Sequence, residues 1–260
     1  MDDLAKLKAA VRGKKIHLFG PPGCGKGNRS KDLQALGLIH VASGIALRAK
    51  VRDDPDSELS KTAQNVMARG ELVPDAIVVP VVMEHLERPE CREQGFVLDG
   101  FPRTKAQADL LFSKADLDLV LHLEVPRKFL VYGVVEGARR ACAGCAAGYS
   151  DFDPPRVEGV CDRCGGEIVT RADDNAATIE RRLDSYDAET KAFLPDLEAR
   201  GIVEVLPITV SDDEEIEERH LKTLRGEVYR VETEAGTRAR MLNLEGMRER
   251  LYRFLTEKFA

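Results

Sequence analysis

Residues 20–28, Gly-Pro-Pro-Gly-Cys-Gly-Lys-Gly-Asn, decide the fold class of this 260-residue chain. They follow a short apolar run, residues 16–19, which predicts a buried strand. They precede residues 30–36, in which Leu33 and Leu36 have the spacing of the first turns of a helix. A strand, a glycine-rich loop and a helix in this order are the context of a phosphate-binding P-loop.

The chemistry of this loop suits a bound phosphate. Glycines let backbone N–H groups approach phosphate oxygens without Cβ clashes, and the helix N-terminus adds partial positive charge. Lys26 would place a full charge on a transferring phosphoryl group. The alternative is a Gly/Pro turn that carries a surface lysine. The residues predicted to surround the phosphates are Gly23, Cys24, Gly25, Lys26, Gly27 and Asn28.

Two positions of the loop raise questions of their own. Such loops usually place a Ser or Thr hydroxyl for Mg²⁺ where this chain has Gly27 and Asn28. At Cys24, Lys26 and the helix N-terminus would lower the pKa of the thiol. Alternatively, Cys24 is simply a small residue that the loop accommodates.

Composition argues against two classes of partner. The chain is 43% hydrophobic and 32% charged, which is ordinary for a globular protein. Its net charge of −6 argues against sequence-independent binding of nucleic acid, which needs a basic face. No apolar run approaches the roughly 20 residues that span a bilayer, and the acidic start does not resemble a signal peptide. We therefore expect a cytoplasmic protein that binds neither nucleic acid nor membrane.

Strand and helix patterns alternate up to about residue 206. Apolar runs at residues 38–41, 95–99, 117–125 and 202–206 predict strands, and the segments between them predict helices. The alternation predicts an α/β fold, a doubly wound parallel sheet with helices on both faces. In such a sheet the ligands lie at the carboxyl ends of the strands.

Capping residues and apolar stripes predict the helix boundaries. Ser43 is predicted to cap the helix that follows it, and Asp173 or Asp174 to cap a long helix ending near residue 200. Another helix is predicted for residues 126–140. Leu4 is predicted to share one face of an N-terminal helix with Leu7 and Val11.

The end of the chain carries a weaker pattern. The six acids of residues 212–218 predict a solvated helix face, and residues 228–244 predict a β-hairpin. An apolar stripe along residues 246–259 predicts a closing helix that packs on the core.

Four of the six cysteines form two closely spaced pairs with 15 residues between them: Cys142 with Cys145, and Cys161 with Cys164. This spacing is typical of a four-thiolate zinc site. Four thiolates leave no open coordination position, so the predicted Zn²⁺ is structural. A zinc ribbon that binds nucleic acid is the alternative, which the acidic charge disfavours.

With residues 98–104, Leu-Asp-Gly-Phe-Pro-Arg-Thr, and residues 170–174, Thr-Arg-Ala-Asp-Asp, the chain resembles the adenylate kinases of the long type, which have a zinc-bearing lid. The resemblance covers about residues 16–206. It implies a P-loop nucleoside monophosphate kinase core across residues 1–260. The implied units within this core are a helical AMP-binding insertion at residues 43–73, a zinc lid at 138–174 and an unmatched C-terminal insertion at 211–241.

The resemblance also implies roles for individual residues. The implied catalytic set is Lys26, Asp99, Arg103, Arg139, Arg171 and Arg182, with Asp99 holding Mg²⁺ or its waters. The ATP site would consist of the loop residues 23–28 together with Arg139 and Tyr149. The AMP site would consist of Ser43, Arg48, Glu71, Leu72, Val73, Gly100, Phe101, Pro102, Arg103, Gln107, Arg171 and Arg182.

The expected activity is reversible, Mg²⁺-dependent transfer from ATP to AMP, giving two ADP, by a monomer. Three departures from the family pattern are Asn28 for Thr, Ile45 for Asp, and Val135 where an Arg usually stacks on the ATP adenine. They leave open a monophosphate kinase with a relaxed donor such as GTP, or a weakly active or non-catalytic nucleotide sensor. The near-complete arginine set favours the enzyme, since a sensor needs no such set.

Overall fold

The structure is a computed structural model. It describes residues 2–127, 129–131, 139–145, 147–151, 154–170, 174–212, 214–221, 223–224, 227–228, 230–232 and 238–260. The predictions made for Val135, Arg171 and Asp173 lie outside the described residues.

The elements of the first half, in chain order, are α1 (Asp2–Val11), β1 (Lys15–Phe19), α2 (Lys26–Ala35), β2 (Ile39–Ala42), α3 (Ser43–Asp53), α4 (Glu58–Ala68), α5 (Asp75–Leu86), α6 (Pro89–Gln94), β3 (Phe96–Asp99), α7 (Lys105–Lys114) and β4 (Leu119–Glu124). The elements of the second half are β5 (Arg140–Cys142), β6 (Gly148–Tyr149), β7 (Ile168–Val169), α8 (Ala176–Ser185), α9 (Leu194–Glu198), β8 (Val203–Pro207), β9 (Thr209–Ser211), β10 (Thr223–Leu224), β11 (Glu227–Val228), β12 (Arg230–Glu232), β13 (Arg238–Met241) and α10 (Leu244–Phe259).

A five-stranded parallel sheet organises the molecule, with strand order β2-β3-β1-β4-β8. The central strand β1 pairs with β3 and β4, so that Leu18 lies beside Asp99 on one side and Leu121 on the other. The carboxyl ends of these strands therefore meet at one edge of the sheet, where β1 runs into the glycine loop. The predicted parallel α/β sheet is confirmed.

Alternate residues of the strands feed two apolar clusters, one on each face of the sheet. Leu18 packs in a cluster with Leu33 of α2 and Leu251 of α10. Its neighbour Phe19 packs in the other cluster with Leu111 of α7. Burial of each such side chain contributes on the order of 1.5–3 kcal/mol. Helices cover both faces, as predicted.

Two of the predicted helix caps are wrong. Ser43 is the first residue of α3 and does not cap it; its hydroxyl instead donates to the Gly100 carbonyl at 2.6 Å. Helix α8 is capped by Asn175, whose side chain accepts a hydrogen bond from the Thr178 N–H, while Asp174 pairs with an arginine. In both cases a tertiary partner binds the side chain that local sequence assigns to a cap.

The predicted long helix to residue 200 is interrupted. Helix α8 passes into a π turn over Tyr186–Thr190 and a 3₁₀ turn over Lys191–Phe193, before α9 begins. The helix predicted for residues 126–140 is also too long, because Arg140 is already the first residue of β5.

The C-terminal region confirms two predictions and corrects one. Strands β12 and β13 pair antiparallel as the predicted hairpin, and α10 buries Met247 and Leu251 as predicted. Residues 212–218 are not helical where the structure describes them, because their acids pair with arginines such as Arg250. In the N-terminal helix α1, Leu4 is 45% exposed, so only Leu7 and Val11 of the predicted apolar face pack on the core. No helix within the described residues has both the length and the apolar character required to cross a membrane.

Candidate active site

A cleft of about 410 Å³ opens at the carboxyl ends of the strands. It brings together nearly all of the predicted nucleotide-binding residues, from six separate stretches of the chain. Phe101 is fully buried and does not line the cleft, and Arg171 lies outside the described residues. The predicted residues that line it are Gly23, Cys24, Gly25, Lys26, Gly27, Asn28, Ser43, Arg48, Glu71, Leu72, Val73, Asp99, Gly100, Pro102, Arg103, Gln107, Arg139, Tyr149 and Arg182.

The glycine loop turns from β1 into α2 through backbone conformations that favour glycine. Gly25 occupies the N-cap position of α2 with φ +91°. At Gly20, with φ +146°, a Cβ would lie 2.9 Å from the Leu123 carbonyl oxygen. Lys26 Nζ donates to the carbonyl oxygens of Gly20 and Pro21 at 2.7 and 2.8 Å. The loop thus holds its lysine and the N-terminus of α2 at the floor of the cleft.

Asp99 ends β3 beside the loop and remains ionised. Burial alone would raise the pKa of this carboxyl group, but the neighbouring His40 and the positive charges of Lys26 and Arg103 outweigh burial and hold the pKa below its usual value. His40 Nε2 lies 3.8 Å from Asp99 Oδ2. A carboxylate that stays charged in a cationic cleft is a suitable oxygen ligand for Mg²⁺ or its waters.

The Gly100 carbonyl, just after β3, holds two neighbouring side chains in place. It accepts hydrogen bonds from Ser43 Oγ at 2.6 Å and Arg103 Nε at 2.8 Å. With φ +75°, Gly100 leaves no room for a side chain, because a Cβ would lie 2.7 Å from Arg103 Nη2. The guanidinium group is therefore held against the end of β3, and burial lowers the pKa of Arg103 relative to an exposed arginine.

Gln107 lies one turn into α7 and is buried, so it is not a surface residue. Its side-chain oxygen accepts from the Arg103 N–H at 2.8 Å, and its amide donates to Asp75 Oδ1 at 2.6 Å. Asp75 also accepts from Thr104 Oγ1 at 3.3 Å. The sequence did not point to Asp75, which holds the Gln107 amide in one orientation.

Asp174 joins two of the predicted catalytic arginines. Its side chain is 1% exposed, and its two oxygens accept from Arg139 Nε and Nη2. Arg182 Nη1 lies 3.9 Å from the same carboxylate. A buried carboxylate between two guanidinium groups offsets their mutual repulsion and holds both at the cleft.

The sequence model of the adenylate kinase family matches residues 18–202 of this chain. The chain belongs to the adenylate kinase family.

Curated adenylate kinases are similar over the same region. The adenylate kinase of Carboxydothermus hydrogenoformans is 42% identical, over 77% of this chain and 94% of the relative. That of Methanosarcina acetivorans is 41% identical over 76% and 93%, and that of Moorella thermoacetica is 39% identical over 73% and 88%. Residues after 202 lie outside the family match.

The four cysteines at residues 142, 145, 161 and 164 come together at a three-stranded antiparallel sheet formed by β6, β5 and β7. Their four Sγ atoms all lie within 4.8 Å of one another, and none forms a disulfide. Sγ atoms of Cys142 and Cys164 are 3.4 Å apart, near the roughly 3.8 Å that Zn–S bonds of about 2.3 Å impose on a tetrahedron. The donor set therefore fits Zn²⁺.

Tyr149 links this cysteine cluster to the cleft. Its hydroxyl donates to Cys161 Sγ at 3.3 Å and accepts from the Asp162 N–H at 2.9 Å. Lys31 Nζ lies 5.8 Å from the centroid of its ring. The same side chain therefore supports the cysteine cluster and lines the cleft.

The cleft also contains residues that no motif predicted. Ile208, Asn243 and Met247 line it as well. These positions come from the region after residue 202, which the family motifs do not reach.

For Cys24, the prediction of a lowered thiol pKa is wrong. Burial raises the pKa of this thiol despite the nearby Lys26.

His17 on β1 is expected to make the stability of the protein depend on pH. Burial lowers the pKa of this imidazole from 6.5 to about 4. Between those values the unfolded chain binds a proton that the folded chain does not, so stability falls as pH falls. The loss for one such group is about 2 kcal/mol between about pH 7.5 and pH 5.

We expect His17→Val, on a strand flanked by Leu98 and Val120, to remove most of this loss. The measurement is the free energy of unfolding by urea at the two pH values for parent and variant. Because each protein is compared with itself, the packing effect of the substitution cancels. Equal pH dependence in the two proteins would show that His17 does not carry the effect.

Proposed function

We propose that the cleft catalyses reversible transfer of the terminal phosphoryl group of ATP to AMP, giving two ADP, in the presence of Mg²⁺. One observation carries this proposal: a lysine and four arginines from separate segments line one cleft in a protein of net charge −6. ATP and AMP bound together would bring four phosphate groups into the cleft. These five cations, which the sequence predicted for the site, are Lys26, Arg48, Arg103, Arg139 and Arg182; Arg29, Lys31, Arg140 and Arg163 also line the cleft.

The reaction requires positioning more than proton transfer. The attacking oxygen of AMP is already ionised, so no general base is needed. The protein must hold the two phosphate chains in line and offset the charge that is shared between them. Guanidinium forks are suited to this task because each binds two phosphate oxygens in a fixed geometry.

The roles divide along the cleft. On the donor side, backbone N–H groups of residues 23–28 and the Lys26 ammonium group would hold the ATP phosphates. Arg139 and Arg182, held by Asp174, would offset charge on the transferring group, and we assign Arg171 the same task. Asp99 would hold Mg²⁺ or its waters; the ion supplies charge neutralisation on the phosphates.

On the acceptor side, Arg48 and Arg103 would bind the AMP phosphate. Gln107 would hydrogen bond the adenine edge with the amide N–H that Asp75 does not use. The backbone of residues 71–73 and the Ser43 region would complete the AMP site. We expect acceptor choice to be strict for AMP.

A panel of donors and acceptors tests this assignment. ADP formation would be followed by a coupled assay with ATP or GTP as donor and AMP, GMP, CMP or UMP as acceptor. We expect activity with ATP and AMP and dependence on Mg²⁺. Equal use of ATP and GTP would favour the relaxed-donor alternative. Tight nucleotide binding without turnover would favour the sensor.

We further propose that Cys142, Cys145, Cys161 and Cys164 bind one structural Zn²⁺ that braces the lid. The lid buries few apolar side chains among its described residues, so a metal replaces the core that it lacks.

Cys161→Ser is expected to lower the midpoint of thermal unfolding while activity at low temperature changes little, because the metal braces the lid and does not react. Metal analysis should find that the four cysteines account for about one zinc per chain, so that Cys161→Ser holds about one zinc fewer than the parent. Cys91→Ser is the matched control, since Cys91 lies outside the lid. Zinc-free parent protein, prepared without a strong chelator, would rule out the site.

A further inference from the structure

We propose that His220, Glu245 and Glu249 form a second divalent-metal site, built from nitrogen and oxygen ligands. It would join residues 211–221 to helix α10. One ligand atom from each of the three side chains lies within 4.8 Å of the other two. These residues do not line the cleft and lie apart from the cysteine cluster in the chain.

The first observation is a buried imidazole nitrogen, Nε2 of His220, without a hydrogen-bond partner among the described residues. His220 is 5% exposed, and its Nε2 atom lies 3.2 Å from Glu249 Oε1. The two groups are not aligned for a hydrogen bond, so Nε2 has no hydrogen-bond partner among the described residues. Buried polar atoms are almost always satisfied in folded proteins. A metal ion between the nitrogen and the carboxylates would satisfy this one.

The second observation is that the backbone fixes the histidine over the helix. His220 ends a short 3₁₀ turn, and its carbonyl accepts from the Asn243 N–H at 2.9 Å. Gly246 in the first turn of α10 permits this contact, because a Cβ there would lie 2.5 Å from the His220 oxygen. Glu245 and Glu249 are four residues apart on α10, so they share the face that His220 approaches.

The spacing is compatible with zinc or a similar ion. Ligands in a tetrahedral zinc site lie about 3.3–3.5 Å apart, since each bond is about 2.0–2.2 Å. The distance of 3.2 Å between His220 Nε2 and Glu249 Oε1 is close to this range. The Glu245 side chain is half exposed, so it is free to rotate toward the ion. One imidazole with two carboxylates suits Zn²⁺, Mn²⁺ or Fe²⁺ better than Mg²⁺ or Ca²⁺.

The chain segment just before His220 is acidic. Residues 212–218 carry six acids, of which Asp212 and Glu214 pair with arginines. Arg219 Nη1 lies 3.9 Å from Glu245 Oε1, but both side chains are more than half exposed, and Arg219 makes its short contact with Glu217. Such an exposed pair contributes little, so a metal ion would displace it readily.

Zinc content at a fixed, low concentration of free zinc tests the proposal. The full-length parent and its variants would be dialysed to equilibrium, and zinc per chain measured. We expect about two ions in the parent, one at the cysteines and one here. His220→Gln and Glu249→Gln should each lose about one ion. Glu257→Gln, an exposed acid on the same helix, should keep both.

Thermal unfolding gives a second readout. Added zinc should raise the midpoint of the parent more than that of either variant, because an ion that binds only the folded chain stabilises it. If His220→Gln does not fold, Glu249→Gln carries the test, since its side chain is half exposed. Equal zinc content in the parent and Glu249→Gln would overturn the proposal and leave His220 and Glu249 as a simple ion pair.

Discussion

Replacing Lys26 with Met is expected to lower turnover at least about 1,000-fold while leaving the fold intact. The ammonium group lies at the floor of the cleft, held by the carbonyl oxygens of Gly20 and Pro21. Lys26 is also the first residue of α2, at the N-terminus of that helix. Methionine keeps the length of the side chain but removes the charge that the transferring phosphoryl group requires.

Steady-state kinetics and thermal unfolding of the Lys26 variant would be measured together. Lys114→Met, an exposed lysine at the end of α7, is the matched control and should retain parental activity. Turnover of Lys26→Met within tenfold of the parent, in protein that unfolds at the parental temperature, would show that the loop is not the catalytic phosphate site.

Replacing Arg103 with Ala is expected to lower kcat/KM for AMP about 100-fold, with the KM for ATP nearly unchanged. The guanidinium group lies at the end of β3, where the Gly100 carbonyl accepts from its Nε, in the part of the cleft that we assign to AMP. Its Nη groups have no hydrogen-bond partner among the described residues, so they would bind the AMP phosphate. Loss of two charge-assisted hydrogen bonds of about 1.5 kcal/mol each accounts for that factor.

The control for Arg103 is Arg253→Ala, an exposed arginine on α10. It should leave both substrates unaffected. The decisive comparison is between the two KM values within each variant. If Arg103→Ala loses ATP affinity while its dependence on AMP is unchanged, the donor and acceptor sides have been assigned in reverse.

The sequence predicted the parts of the site that are local in the chain. The strand, the loop and α2 are continuous from residue 15 to 35, so their order and glycine pattern define the phosphate site. The cysteine spacing defines the lid cluster in the same way. Motifs carry such sites because the chemistry depends on neighbours within a few residues.

The sequence failed where a distant residue decides a side chain's role. Asp174 has the position of a helix cap, but Arg139, 35 residues away, binds it instead. Ser43 likewise has a capping position and bonds to Gly100, 57 residues away. Local capping preference cannot anticipate either partner, because both contacts join segments that are distant in the chain and meet only in the folded protein.

The contribution of the region after residue 202 to the cleft was also not predicted, for a different reason, although its last strand of the parallel sheet, its hairpin and its closing helix were. It contributes Ile208 and Met247 to the cleft, yet it carries no motif. Its acids suggested a helix, but arginines of β13 and α10 bind them in an irregular segment. The cluster at His220 depends on the close approach that Gly246 allows, which no periodic pattern reveals.

The central claim is that the cleft joins two nucleotides for direct phosphoryl transfer. The measurement that tests it most directly is the stoichiometry of the purified protein with ATP, AMP and Mg²⁺, resolved by chromatography over time. The account predicts that two ADP appear for each AMP consumed, that no free phosphate forms, and that the reverse reaction starts from ADP alone. ATP consumed at the same rate without AMP, with release of phosphate, would contradict it.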